Sequence, residues 1–174
     1  VINQLKEEGY VIDSVQNKGY RITEYPDIIT ASEIESLLLD DSGNMQGICR
    51  HIQYFDKTDS TNNQAKLAAE KNAPDGTLFV AECQTGGRGR RGKTWESPAG
   101  SGIWMSLLLR PDISPESASM LTLVLAVAMV DAINEEVQDA KCYVKWPNDI
   151  VLNNRKISGT LTEMSAEMDS ICLL

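Results

Sequence analysis

Between Gln84 and Trp95 the chain carries four glycines and four cations: Gln84-Thr85-Gly86-Gly87-Arg88-Gly89-Arg90-Arg91-Gly92-Lys93-Thr94-Trp95. Glycine at this density lets a backbone reach φ > 0 and approach a ligand closely, at an entropic cost before binding. Arginine offers a planar, bidentate fork that fits phosphate or carboxylate, which lysine cannot copy. No scaffold is predicted beneath these cations, so the segment is expected to stay mobile until an anion gathers it. A solvated basic turn would have the same composition. The formal net charge is −9, however, so background charge does not explain the cluster. An acidic chain lacks the basic footprint of a broad nucleic-acid face, and a small anionic ligand suits the loop better.

A chain of 174 residues can bury one core, with room for a small appendage. Cys49, Cys83, Cys142 and Cys172 form no C-x-x-C pair, which predicts neither a metal site nor a disulfide framework. A reduced, cytoplasmic setting follows as the default. With His51 the only histidine, a His-based triad is not expected. The longest apolar run, 120–130, is shorter than the roughly 20 residues a bilayer requires, so no membrane partner is predicted.

The pattern predicts a short helix over 2–9 ended by Gly9, then a hairpin from strands 10–15 and 19–22. Thr30-Ala31-Ser32-Glu33 reads as a capping box opening a helix with Ile34, Leu37 and Leu38 on one face. A strand over 52–55 precedes Asp59-Ser60-Thr61-Asn62, which caps a helix over about 63–71. Strand 77–82 runs into the Gly/Arg loop. Strand 103–109 is almost wholly apolar and expected to be covered on both faces. Ser114-Pro115-Glu116 starts a helix to Glu136, with Leu121, Leu125, Ala128 and Ala132 predicted inward. Strands 142–145, 149–152, 155–162 and 170–174 follow. Helices and strands mix without strict alternation, which defines an α+β fold with a mixed β-sheet flanked by helices.

Three further constellations carry possible chemistry. In Lys145-Trp146-Pro147-Asn148-Asp149 the proline breaks the strand, where charges can face a cleft or simply solvent. The hairpin turning at Asn153-Asn154 would pair Leu152 with Arg155, Val151 with Lys156, Ile150 with Ile157, and Asp149 with Ser158. Lys156 and Asp149 then become diagonal neighbours on one face, and Gly159 leaves room for a ligand. A structural ion pair explains the same residues. Asp59-Ser60-Thr61-Asn62 offers hydroxyls and an amide beside free helix amides.

Together, Asp59-Ser60-Thr61-Asn62, Gln84 with Gly87-Arg88-Gly89-Arg90-Arg91-Gly92, Lys145-Trp146-Pro147-Asn148-Asp149 and Arg155-Lys156-Ile157-Ser158-Gly159 resemble biotin protein ligase. The bacterial type of that family doubles in many species as the biotin operon repressor. The resemblance implies a catalytic domain of the class II synthetase and biotin ligase-like type over 51–174. It also implies a linker and helix over 25–50, and over 1–24 the end of a winged helix-turn-helix. The family's reaction joins biotin and ATP into biotinyl-5'-adenylate, then passes biotin to a lysine of the biotin carboxyl carrier protein of acetyl-CoA carboxylase. By this likeness Ser60, Thr61, Asn62, Gln84, Gly87, Arg88, Gly89, Arg90, Lys156 and Gly159 would surround biotin. Arg88, Arg90, Arg91, Lys93, Trp95, Asn148 and Lys156 would meet the nucleotide, and Lys156, Arg90, Lys145 and Asp149 would form the catalytic group. Mg²⁺ is implied by the triphosphate, operator DNA by the repressor role, and a homodimer is compatible with both.

Lys93 stands where some relatives carry arginine, and Thr160 replaces an aliphatic residue. The family's later strands and small C-terminal β-barrel have no counterpart here, so the sequence reads as a fragment of a ligase-repressor. A lipoate or octanoate ligase or transferase of the same fold is one rival. A biotin-sensing DNA-binding repressor without ligase activity is another.

Overall fold

Strand β4 (Thr77–Ala81) is the spine of the main sheet, and all five of its residues are buried. It is a continuous Thr-Leu-Phe-Val-Ala run, the pattern of a strand covered on both faces. The computed structural model that gives this fold describes residues 1–7, 9–27, 29–137, 141–165 and 170–173. β3 (His51–Phe55) pairs parallel to β4, and β5 (Trp104–Leu109) antiparallel on its other side. β10 (Ser170–Leu173) and β9 (Thr162–Ser165) complete a mixed sheet in the order β3-β4-β5-β10-β9. Position 174 of the last expected strand lies outside the described residues.

A separate antiparallel sheet holds β6 (Tyr143–Lys145), β7 (Asp149–Leu152) and β8 (Arg155–Gly159). The single strand expected over 155–162 is therefore two. The chain leaves β8 where the Thr160 amide donates to the Asn148 carbonyl at 2.9 Å, then crosses to the main sheet. β5 alternates in burial, with Ser106 and Leu108 buried and Met105 exposed, so only one of its faces is fully covered.

Helix α3 (Thr61–Glu70) lays Ala65 and Ala69 on Phe79 and Leu108. Alanine at both positions lets the helix approach closely, and burying Phe79 alone contributes about 1.5–3 kcal/mol. α4 (Ala118–Glu136) follows a 3-10 turn at Pro115–Ser117. It faces the sheets with Ala118, Leu121, Leu125 and Ala126, and with Thr122, whose hydroxyl meets that of Thr162 at 2.5 Å. Ala128 and Ala132, expected inward, are exposed. An almost wholly apolar helix gives no phase from composition; Thr122 and Asn134, whose side chain bonds both backbone groups of Cys142, fix it. Met120, Val124 and Val127 face outward. Counted with its 3-10 start, this helix spans 22 residues at mean hydropathy 1.7, long and apolar enough by those measures to cross a bilayer. The expectation that no apolar stretch is long enough considered only 120–130.

At the N-terminal side, α1 (Ile2–Glu7) precedes the hairpin β1 (Val11–Val15) and β2 (Gly19–Glu24), with Gly9 at φ +99 ending the helix. α2 (Ala31–Leu38) starts where the Thr30 hydroxyl accepts the Glu33 amide at 3.2 Å. The capping box is half formed, because the Glu33 carboxylate accepts from the Tyr10 hydroxyl. Leu37 is 84% exposed, so the apolar face expected of this helix is reduced to Ile34 and Leu38.

Gly76 adopts φ +76, and a Cβ there would strike the Ile48 carbonyl. Its amide donates to Leu108 and its carbonyl accepts from Arg50, so the turn cannot relax without breaking the entry to β4. Gly76→Ala is expected to lower unfolding free energy by about 1–3 kcal/mol, read as a shifted urea midpoint at unchanged slope.

Candidate active site

A cleft of about 780 Å³ opens between the two sheets. Its walls come from the start of α3, the 84–95 loop, the start of β5, the turn between β6 and β7, and the β7–β8 hairpin.

Asn153 (φ 51) and Asn154 (φ 60) make the two-residue hairpin turn, as Asn-Asn favours. Leu152 pairs with Arg155 and Val151 with Lys156, as expected. Beyond that the register slips: Ile150 pairs with Ser158 and Asp149 with Gly159, leaving Ile157 as the extra residue of a β-bulge. The slip sets Gly159 opposite Asp149. Lys156 Nζ lies 2.6 Å from Asp149 Oδ1, and a Cβ on Gly159 would fall 2.7 Å from Nζ. Gly159 thus makes room for the ammonium, not directly for a ligand. Nζ also lies 4.9 Å from the Trp95 ring centroid, a cation–π contact that turns the lysine into the cleft.

The Gly/Arg loop has the scaffold that its composition did not predict. The Gln84 amide donates to Ser97, Trp95 to Gly87 at 2.9 Å, and Gly89 to Lys93 at 2.7 Å. Arg90–Gly92 forms a 3-10 turn at the tip, with Arg91 at φ 59. Gly87 is buried, and a Cβ on it would strike the Trp95 carbonyl, so this glycine serves the chain's own packing. Arg90 donates to Asn148 Oδ1 at 3.1 Å, closing the tip onto the β6–β7 turn, while Asn148 Nδ2 donates to the Thr160 carbonyl. The Arg88 guanidinium donates to Asn63 and lies 3.8 Å from Glu163.

The floor of the cleft is a polar relay. Ser60 caps α3 by position, but its hydroxyl makes no capping bond; the Thr61 amide donates instead to Gln84 Oε1 at 2.8 Å. Gln84 Nε2 donates to Ser97, which donates to the Trp95 carbonyl. Thr61 Oγ1 lies 3.1 Å from Gln84 Oε1 and 2.7 Å from Ser106 Oγ, which in turn lies 2.9 Å from Asn62 Oδ1. Two hydroxyl protons serve these three contacts, and both amide oxygens can only accept. Gln84 Oε1 already receives the Thr61 amide, so with Thr61 Oγ1 donating to Ser106 and Ser106 to Asn62 Oδ1 every acceptor of the recess is matched.

Glu163, on β9, accepts from Asn62 Nδ2 at 3.0 Å and from Lys66 at 2.8 Å. Burial pushes its carboxyl up, but those bonds and the charges of Lys66 and Arg88 outweigh it and hold the pKa below the ordinary value. Asp59 accepts from Asn63 and Gln64 at the head of α3.

Thr61, Asn62, Gln84, Arg88, Gly89, Arg90, Arg91, Lys93, Trp95, Asn148, Asp149, Lys156 and Gly159 all line the cleft. Ser60 and Gly87 are buried beside it, and Lys145, exposed on β6, is outside it. The five lining cations face one lining carboxylate, Asp149. Ser97, Ser106, Lys66 and Glu163 were not predicted. The serines look like ordinary strand and loop residues in sequence, and Glu163 reaches Asn62 across 101 positions.

The cleft thus joins a polar recess at the start of α3 to a cation-lined mouth. The chain belongs to the biotin/lipoate A/B protein ligase family, whose model matches residues 54–173. It is 44% identical over 170 residues to the bifunctional ligase/repressor BirA of Bacillus subtilis, covering 98% of this chain and 50% of that protein. A biotin--[acetyl-CoA-carboxylase] ligase of Paracoccus denitrificans is 39% identical over 110 residues, 63% of this chain and 45% of its own. The structure of biotin protein ligase from Aquifex aeolicus in complex with biotin and ATP superposes with TM-score 0.61 at 35% identity, covering 71% of this chain and 50% of that one. The chain spans about half the length of these relatives.

The Asn63 amide foremost, then Gln64, Ser60 and Thr58 against a desolvation penalty, hold the Asp59 carboxyl at about 2, below the ordinary 3.8. A lowered folded-state pKa stabilises fully above the unfolded value and is lost as pH falls through the folded one. The contribution of Asp59 is therefore expected to fade from about pH 4 towards pH 2. In urea titrations over that window the unsubstituted protein should lose more stability than Asp59→Asn.

Proposed function

We propose that this chain carries the catalytic centre of a biotin protein ligase. ATP and biotin would give biotinyl-5'-adenylate and pyrophosphate, and biotin would then pass to a lysine of the biotin carboxyl carrier protein of acetyl-CoA carboxylase. One observation carries the reading: Thr61, Gln84, Arg90 and Lys156 line a single cleft. The recess is lined by the polar Thr61, Asn62 and Gln84, and a ureido ring brings N–H groups and a carbonyl to meet them. The buried Ser60 hydroxyl, with no partner among the described residues, supplies a donor for a ureido carbonyl. A lipoyl ring has no N–H to give, so the recess favours biotin over lipoate. The match to ligases, with Lys156 and Arg90 in place, favours an enzyme over a sensor without activity.

In the first step a biotin carboxylate oxygen forms a bond to the α-phosphorus as the bond to pyrophosphate breaks. The carboxylate is already ionised, so no general base is needed. Lys156, held by Asp149, and the arginines of the loop offset the repulsion between two anions as charge develops. Arg88, Arg90, Arg91 and Lys93 would take the phosphates, with Trp95 and Asn148 walling the nucleotide. In the second step the carrier amine attacks the acyl carbon, loses a proton, and AMP leaves. Asp149 acts through Lys156 as a positioning residue, and Lys145 lies outside the cleft. Mg²⁺ would enter with the triphosphate. The described residues hold no cluster of three His, Cys, Asp or Glu that fits a resident metal.

Operator DNA is a proposed partner of the N-terminal hairpin, whose strand β2 is exposed throughout, within a repressor proposed to act as a dimer. A cytoplasmic setting accords with the free Cys49, Cys83 and Cys142.

Pyrophosphate exchange with ATP and a panel of acids tests the reading on the full-length protein. Exchange should require biotin, fall about 10²–10³-fold in Lys156→Ala, and fall strongly in Arg90→Ala. Gly159→Ala, which displaces Nζ, should cost about 10²-fold. Exchange with lipoate and not biotin overturns the substrate assignment.

A further inference from the structure

Of the buried polar side chains among the described residues, Thr58, Thr61, Asn62, Thr77, Ser97 and Ser106 each make a side-chain hydrogen bond. Two hydroxyls make none, those of Ser60 and Thr160. A hydroxyl buried without a partner is costly, and each such group in a folded chain calls for a reason. Both lie at the cleft. Ser60 heads α3, and the ligase reading gives its proton to the ureido carbonyl. Thr160 is 4% exposed and lines the cleft, yet that reading gives it nothing.

The backbone fixes where Thr160 stands. Its amide donates to the Asn148 carbonyl at 2.9 Å and its carbonyl accepts from Asn148 Nδ2 at 3.0 Å, so the residue is held on both sides where the chain leaves β8. Asn148 also receives Arg90. The preceding residue, Gly159, is the one whose Cβ would fall 2.7 Å from Lys156 Nζ, and consecutive Cα atoms are only about 3.8 Å apart. Thr160 therefore belongs to the end of the cleft where the ammonium and the arginine stand. Such an end attracts an anion. A hydroxyl there has its proton to give, and an ionised carboxylate can only accept. We propose that Thr160 is a substrate-binding residue whose hydroxyl donates to the biotin carboxylate beside Lys156. The inference rests on the biotin reading, which supplies the acid. The empty protein bears the cost of the unmatched hydroxyl, and the carboxylate removes it.

Calorimetric titration of the full-length protein tests this with biotin, with ATP, and with biotinol, the alcohol in which CH2OH replaces the carboxylate. Thr160→Val keeps the branched shape and deletes the hydroxyl. It is expected to weaken biotin about 10–100-fold, the scale of a hydrogen bond to a charged group, with biotinol and ATP within about threefold of the unsubstituted protein. Its urea midpoint without ligand should be equal or higher, because an unmatched hydroxyl has gone. Lost packing would instead lower the midpoint and the affinity together. Thr160→Ser keeps the hydroxyl and should hold biotin within about threefold. Thr160→Ala, which also lacks it, carries the same expected loss of biotin should the valine variant fail to fold. A Thr160→Val protein that binds biotin like the unsubstituted one overturns the inference. So do equal losses for biotin and biotinol or for biotin and ATP, a lowered midpoint, and a serine variant no better than the valine. Failure of the unsubstituted protein to bind biotin overturns the functional reading itself, and this inference with it.

Discussion

The site depends on an ion pair that stabilises the fold very little. Lys156 and Asp149 are 37% and 26% exposed, and pairs of that kind contribute about 0–1 kcal/mol. What the pair supplies is position. A free lysine stem samples many rotamers, whereas Nζ is held here between a carboxylate and the Trp95 ring, with Gly159 leaving the space for it. The bulge at Ile157 is the cause, since without it Asp149 would face Ser158 and the ammonium would have no vacancy to occupy. An ammonium fixed in advance needs no reorganisation when two anions are pressed together, and this is where electrostatic assistance is largest.

The opposite end of the cleft obeys proton counting. Hydroxyls and amides packed at hydrogen-bond distance must divide their protons: the Thr61 amide serves Gln84 Oε1, the Thr61 hydroxyl serves Ser106, and Ser106 serves Asn62 Oδ1. The rigidity of this network comes from the fold: Thr61 and Asn62 stand on the first turn of α3, which Ala65 and Ala69 press against the buried β4–β5 pair. Ser106 belongs to that pair. The recess is thus an extension of the core, and recognition there draws on the same packing that holds the sheet.

What was legible in the sequence follows from the range of the interaction that decides it. The Asn153-Asn154 turn, the buried β4 run and the grouping of four motifs in one cleft are set by local chemistry or by fixed offsets, and they were readable. The bulge was not, because Ile157-Ser158-Gly159 suits either register and only the accommodation of Nζ distinguishes them. Nor was the phase of α4, where apolar residues surround the axis and two polar anchors, Thr122 and Asn134, choose the buried face. The loop's order was missed because its rungs are backbone bonds between Gln84 and Ser97 or Gly87 and Trp95, which leave no trace in side-chain composition. Ser106 and Glu163 act over 44 or more positions, a distance at which a single sequence carries no pairing signal.

The charge distribution reconciles an acidic chain with polyanionic ligands. A net charge of −9 spread over the chain repels an approaching nucleotide only within about 8 Å at physiological salt. Inside the cleft that background is outweighed, because five cations line it against one carboxylate already committed to Lys156. The loop cations also lie on a hairpin whose two fixed points, Arg88 on Asn63 and Arg90 on Asn148, bind it to opposite walls. Both clamps use neutral amides as acceptors. Arg90 therefore keeps its full positive charge available to a phosphate, whereas Arg88 also shares an ion pair with Glu163. Glu163, at 3.8 Å from Arg88, is near enough to orient that side chain and too far to make a hydrogen bond to it.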